Sequence, residues 1–99
     1  MKIEAEMERV LECIPVEPCG VTHKEIAEYT GFSPVRVRKL IRLMRKNGTP
    51  ICSNNVDGYW MARNRREILE QIKYLETYIH SMEETCYKLR KAYCDFKNN

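Results

Sequence analysis

From Asn64 to the last residue, Asn99, the chain contains no proline and no glycine. Through that stretch apolar side chains recur at Ile68, Ile72, Leu75, Ile79, Met82, Cys86, Leu89, Tyr93 and Phe96, with spacings that alternate between four and three. A mean repeat of 3.5 residues keeps these side chains on one narrow stripe of an α-helix, so the pattern predicts a single long helix carrying a heptad seam. At the standard rise the helix would run roughly 44 Å, more than a small domain needs to cover itself. The expected organisation is therefore a compact domain over residues 1–63 followed by a dimerisation helix over 64–99. Leu69 and Tyr78 broaden the apolar face of the first turns, which would pack back on the domain. The later turns have little left to cover, and an exposed stripe of that length invites self-association. Ile72, Leu75, Ile79, Met82, Cys86, Leu89 and Tyr93 are the candidate dimer contacts. Isoleucine at the first core position and leucine at the second, as at Ile72, Ile79, Leu75 and Leu89, allows a parallel two-stranded coil. Cys86, Tyr93 and Phe96 make it imperfect, and antiparallel pairing stays open.

The first 63 residues carry shorter signals. Ile3, Met7, Val10, Leu11 and Ile14 lie at helical spacing over residues 3–14, and Pro15 and Pro18 end that helix. Thr22-His23-Lys24-Glu25 has the form of a capping box, in which the threonine hydroxyl and the glutamate carboxylate each take an orphan backbone N–H. A second helix is expected from Lys24 to about Tyr29, burying Ile26 and Ala27. Thr30-Gly31-Phe32 reads as a tight turn, and Ser33-Pro34 as an N-cap serine followed by a first-turn proline. The third helix then runs to Lys46 and stops at Asn47-Gly48. Pro50 to Ser53 and Tyr59 to Met61 predict two strands joined by the polar turn Asn54-Asn55-Val56-Asp57-Gly58, with Tyr59 and Trp60 anchoring the hairpin. Asn64-Arg65-Arg66-Glu67 is a second box of capping type.

Composition narrows the classes. Hydrophobic residues make up 43% of the chain and charged ones 31%, which is globular and not disordered. No apolar run approaches the 18 residues of a membrane span, and Met1-Lys2-Ile3-Glu4 leads into charge where a signal peptide needs apolar residues. A cytoplasmic protein without a membrane partner is expected. The five cysteines form no C-x-x-C pair, so reduced thiols are expected. Cys19 and His23 have the spacing of half a metal site, but no second half follows, so neither metal nor cofactor is expected. The two histidines sit in a capping box and beside Glu83 and Glu84, no nucleophile stands with a matched base, and no glycine-rich phosphate loop occurs, all of which argues against an enzyme.

Charge is unevenly placed. Between Gly31 and Arg66 the chain carries nine basic residues and one acid, Asp57, so that segment is +8 while the remainder is −5. On the third helix Val37, Leu40, Ile41 and Met44 form the inward stripe. At 100° per residue this sends Val35, Lys39, Arg42 and Lys46 outward, with Arg36 and Arg38 on the flanks. A merely solvated helix face would interleave acids as i, i+4 partners, and this one has none.

The order of these elements, with Val21-Thr22-His23-Lys24-Glu25-Ile26-Ala27, Thr30-Gly31-Phe32-Ser33, Val37-Arg38-Lys39-Leu40-Ile41, and Gly48-Thr49-Pro50-Ile51 through Gly58-Tyr59-Trp60, resembles the winged helix-turn-helix family of DNA-binding domains. With the trailing heptad helix it is similar to small members common in bacteriophages and prophages. The resemblance implies a mainly α fold with a small β-hairpin whose third helix enters the major groove of double-stranded DNA, with Ser33, Val35, Arg36, Arg38, Lys39, Arg42 and Lys46 as contact candidates. It further implies that the hairpin tip, Ser53, Asn54 and Asn55, lies along the backbone or minor groove, while Arg63 and Arg65 neutralise phosphates. The expected function is sequence-specific or structure-specific binding of double-stranded DNA as a homodimer, in transcriptional regulation. The alternative is a protein-interaction module whose basic face grips an acidic protein partner, as an inhibitor or a replication or assembly factor would.

Overall fold

The computed structural model describes residues 2–16 and 19–96; Pro18 and the expected end of the last helix, residues 97–99, lie outside them. The first helix, α1, is Lys2–Glu12. The Cys13 and Ile14 amides then turn to the carbonyls of Val10 and Leu11, each at 3.0 Å. The heptad-like spacing that extends to Ile14 is thus completed by a tightened turn rather than by α-helix, as Pro15 allows no further helical bond. The next helix, α2, is His23–Thr30 and has both halves of its capping box: Glu25 N–H donates to Thr22 Oγ1 at 3.1 Å, and Thr22 N–H to Glu25 Oε1 at 2.9 Å. Gly31, at φ 81°, closes it. The third, α3, is Pro34–Lys46, starts on Ser33 and ends before Gly48 at φ 95°.

The core lies where α1, α2 and α3 meet. Val10, Ile26, Val37, Leu40 and Ile41 are at most 2% exposed, and Ile14, Ala27, Met44 and Ile51 complete the cluster. All four inward positions expected on α3 are buried. Thr30 is the one buried polar residue among those described. Its hydroxyl donates to the Ile26 carbonyl and accepts from Phe32 N–H, while Arg9 donates to the Thr30 carbonyl at 2.7 Å and lies over the Phe32 ring.

The hairpin joins β1, Ile51–Asn54, to β2, Gly58–Met61, in antiparallel register with Ile51 opposite Met61 and Asn54 opposite Gly58. Asn54 builds the turn by accepting from Val56 N–H and Asp57 N–H through Oδ1 and donating to Asp57 through Nδ2. A contact not read from the sequence fixes the sheet to the helices. Val21, just ahead of α2, exchanges both backbone hydrogen bonds with Tyr59, giving β2 a second strand-like neighbour. The close approach requires glycine on both sides: a Cβ on Gly20 would run into the Tyr59 carbonyl, and one on Gly58 into that of Val21.

The last helix, α4, is Arg65–Asp95. The chain divides into two units, Met1–Ile68 and Leu69–Asn99. None of the described residues of α4 is buried. No helix among the described residues is long and apolar enough to cross a membrane.

Candidate nucleic-acid interface

The start of α3 is built for a fixed orientation. Ser33 Oγ accepts the Arg36 amide at 3.1 Å, and Pro34 supplies a preset first turn. With Val37, Leu40, Ile41 and Met44 held in the core, helical geometry leaves Val35, Arg38, Lys39, Arg42 and Lys46 facing solvent, and all five are exposed. None of these four cations pairs with a carboxylate among the described residues. At an effective dielectric near water their mutual repulsion is tolerable, yet their fields add to a positive band that favours a polyanion.

The band extends onto the first turn of α2. His23 has its pKa lowered, chiefly by partial burial and then by the positive charges of Arg38 and Lys24. Both cations therefore act on one locality, the capping box at the start of α2.

Other members of the basic segment are engaged inside the fold. Arg36 forms an ion pair with Glu6 of α1. That guanidinium holds the Glu6 carboxyl below its ordinary pKa, by hydrogen bond first and by charge as well, against an opposing effect of burial. Arg36 thus stands on the flank where the projection put it, but its charge is met by a carboxylate 30 positions away in sequence. Arg45 donates through Nε to the Ile51 carbonyl and through Nη2 to Ser53 Oγ, both at 2.9 Å, with its guanidinium 5.9 Å from the centre of the Tyr59 ring. Burial pushes its pKa down, although an arginine stays charged at any ordinary pH. Arg63 pairs with Glu67 at 2.6 Å, and its backbone N–H also donates to that carboxylate. The bonds from Arg63 hold Glu67 below its ordinary pKa, with a further contribution from the Trp60 side chain. Glu67 N–H is capped by Asn64 Oδ1 as expected, but the returning carboxylate goes to Arg63 rather than to Asn64. An internal anion therefore offsets the cations at the start of α4.

At the hairpin tip, Ser53 and Asn54 are occupied by Arg45 and by the turn, whereas Asn55 is exposed, as is Arg65 at the head of α4. Val56, an apolar residue in an otherwise polar turn and not among the expected contacts, is 88% exposed at the tip. Its signal was present: an aliphatic side chain between Asn55 and Asp57 has no core within reach.

No protein-family model, curated protein or solved structure matches this chain. The site's chemistry rests on its own residues. Acidic side chains gather elsewhere: Glu12, Glu25 and Glu28 line a groove of about 800 Å³ floored by Val21 and Ile26. Among the described residues no three His, Cys, Asp or Glu side chains come together to hold a metal, and the five cysteines are all free thiols. The arrangement offers fixed cations on a rigid helix, suited to binding an anion.

Proposed function

We propose that the chain binds double-stranded DNA as a homodimer and acts in transcriptional regulation, with α3 as the helix that enters the major groove. The observation that carries this reading is the exposed row Arg38, Lys39, Arg42 and Lys46, held outward by a buried aliphatic stripe and unmatched by carboxylates among the described residues. Three helices, a hairpin bonded to the strand-like residue ahead of α2, and a long last helix follow the order of a winged helix-turn-helix domain, which supports the same reading. In that frame Val35 and Arg38 lie nearest the base edges, where arginine can bridge guanine O6 and N7 and a valine methyl can meet thymine. Lys39, Arg42 and Lys46 neutralise phosphates, Arg65 adds a charge beside the hairpin, and Asn55 with Val56 forms the tip that reaches the backbone or minor groove. Arg36, Ser53, Asn54 and Arg63 support the interface rather than touch DNA, since each already holds an internal partner.

The test is a gel-shift titration against salt. If four cations from each of two protomers reach phosphates, the logarithm of affinity should fall against the logarithm of salt with a slope of about −7. No shift at low salt with any duplex, together with capture of an acidic protein by the same band, would replace this reading with the protein-interaction module. Selection from random duplexes should yield a two-fold symmetric site.

A further inference from the structure

The seam on α4 admits either strand direction by its core residues alone; the charges beside the seam distinguish the two. Resting on the homodimer reading above, we propose that two copies of α4 pair antiparallel, in the one register that sets Glu83 of each chain against Arg90 of the other.

The positions that follow the core residues Leu75, Met82 and Leu89 are Glu76, Glu83 and Arg90, and those that precede the core residues Ile79, Cys86 and Tyr93 are Tyr78, Thr85 and Ala92. In a parallel coil the first set of one helix meets the second set of its partner. Glu83 would then face Tyr78, and Arg90 would face Thr85, so no opposite charges meet. In an antiparallel coil the first set meets itself. Along α4 that set runs from acidic to basic, so reversing the partner brings unlike charges together. Facing Glu83 with Arg90 aligns Cys86 with Leu89, Met82 with Tyr93 and Ile79 with Phe96, each pairing occurring twice by symmetry. Every layer then combines a smaller side chain with a larger one. A shift of one heptad one way sets Arg90 against Arg90, and the other way sets Glu83 against Glu83 beside two Glu76 and Arg90 pairs, so the proposed register is the one in which no like charges meet at these positions.

Three features of the helix agree with this register. Tyr78, Ile79, Met82, Glu83, Cys86 and Arg90 line one shallow depression on α4, so the two charges flank the seam on the same side. Neither charge has an ion-pair partner among the described residues, whereas the neighbouring Glu84 is close to His80. Exposure also rises where the overlap lies: Ile68, Ile72 and Leu75 are 37 to 46% exposed, and Ile79, Met82, Leu89, Tyr93 and Phe96 are 57 to 82% exposed.

The experiment is sedimentation equilibrium on the full chain and on three variants. Arg90→Glu and Glu83→Arg should each weaken the homodimer by about tenfold, since two attractive pairs become repulsive. An equimolar mixture of the two, and the double variant E83R/R90E, should regain wild-type affinity, because both restore unlike pairs. Arg and Glu have similar helix propensity, so unchanged circular dichroism will show that α4 still forms. A dimer whose affinity ignores Arg90→Glu, or is weakened by it and not regained in the double variant, overturns the antiparallel register and leaves the homodimer standing. A wild-type chain that is monomeric at every concentration overturns the homodimer itself.

Discussion

Arg45 is the arginine of the basic segment whose loss should unfold the domain rather than release a ligand. In the hairpin, Ile51 N–H bonds back to Thr49 and Met61 N–H to the Pro15 carbonyl, so the Ile51 and Met61 pair exchanges no ladder bonds. The Ile51 carbonyl, on a residue only 3% exposed, relies on Arg45 Nε. Truncation to alanine leaves that acceptor without its partner, at about 1–3 kcal/mol. It also removes the stacking on Tyr59, about 0.5–1 kcal/mol, and the packing of the side-chain stem. A net loss of about 2–3 kcal/mol corresponds to a fall in Tm of roughly 10–20 °C for a domain of this size. Differential scanning calorimetry on Arg45→Ala beside Arg38→Ala makes the comparison. Arg38 is exposed and has no ion partner among the described residues, so its truncation should stay within about 0.5 kcal/mol. Arg45→Lys keeps the charge but not the fork that spans Ile51 and Ser53, and should fall between them. Should Arg45→Ala melt within about 4 °C of wild type, the division between structural and free cations is wrong.

Gly58→Ala forces a side chain at φ 83° into the Val21 carbonyl and should cost about 2 kcal/mol or more by urea titration; a neutral result would mean that the Val21–Tyr59 bridge carries no stability. Arg38→Ala, Lys39→Ala and Arg42→Ala should each weaken duplex binding, with Lys39→Ala also reducing the steepness of the salt dependence by about one, while Tm stays put; a shared loss of Tm and binding would make the band structural. Glu6 and Glu67 both have lowered pKa values in the folded chain. Their stabilisation is therefore present above the ordinary carboxylate pKa and lost as pH falls through the lowered one, so Tm should drop below about pH 5. Glu6→Gln should flatten that acid limb, and an unchanged limb would count against the Arg36 pair as its source.

Much of the architecture was legible because it is encoded locally. Ser33-Pro34, the Thr22 to Glu25 box, Gly31 and Gly48 fix helix ends through neighbouring backbone groups, and the stripe from Val37 to Met44 fixes which face goes inward. The heptad spacing likewise announces α4 from its own residues. What was not legible depends on partners distant in sequence. Val21 looks like any residue ahead of a helix until Tyr59 lies beside it. Arg9 reads as a surface cation of an acidic helix, yet it is needed at the Thr30 carbonyl, a group without a sequence signature. The seam gave no strand direction from its core residues, because Ile, Leu, Met and Cys pack acceptably either way.

The same distinction decides how the basic segment is divided. Counting charge treats its nine cations as equivalent, and projection on a helical wheel separates them only by angle. Arg36 and Arg38 are symmetric by that measure, one on each flank of the outward face. They differ because α1 crosses on the Arg36 side and brings Glu6 with it, while the start of α2 lies on the Arg38 side and brings His23 and Lys24. A polyanion approaching the band therefore meets an asymmetric field, reinforced on the α2 flank and partly cancelled on the α1 flank. Glu6→Gln removes the cancellation and frees Arg36 without touching Arg38. Under the DNA-binding reading it should raise affinity at low salt by a few fold and steepen the salt dependence by up to about one. If it lowers affinity instead, Glu6 acts by holding Arg36 in a pose that DNA requires, and Arg36 belongs among the contacts after all.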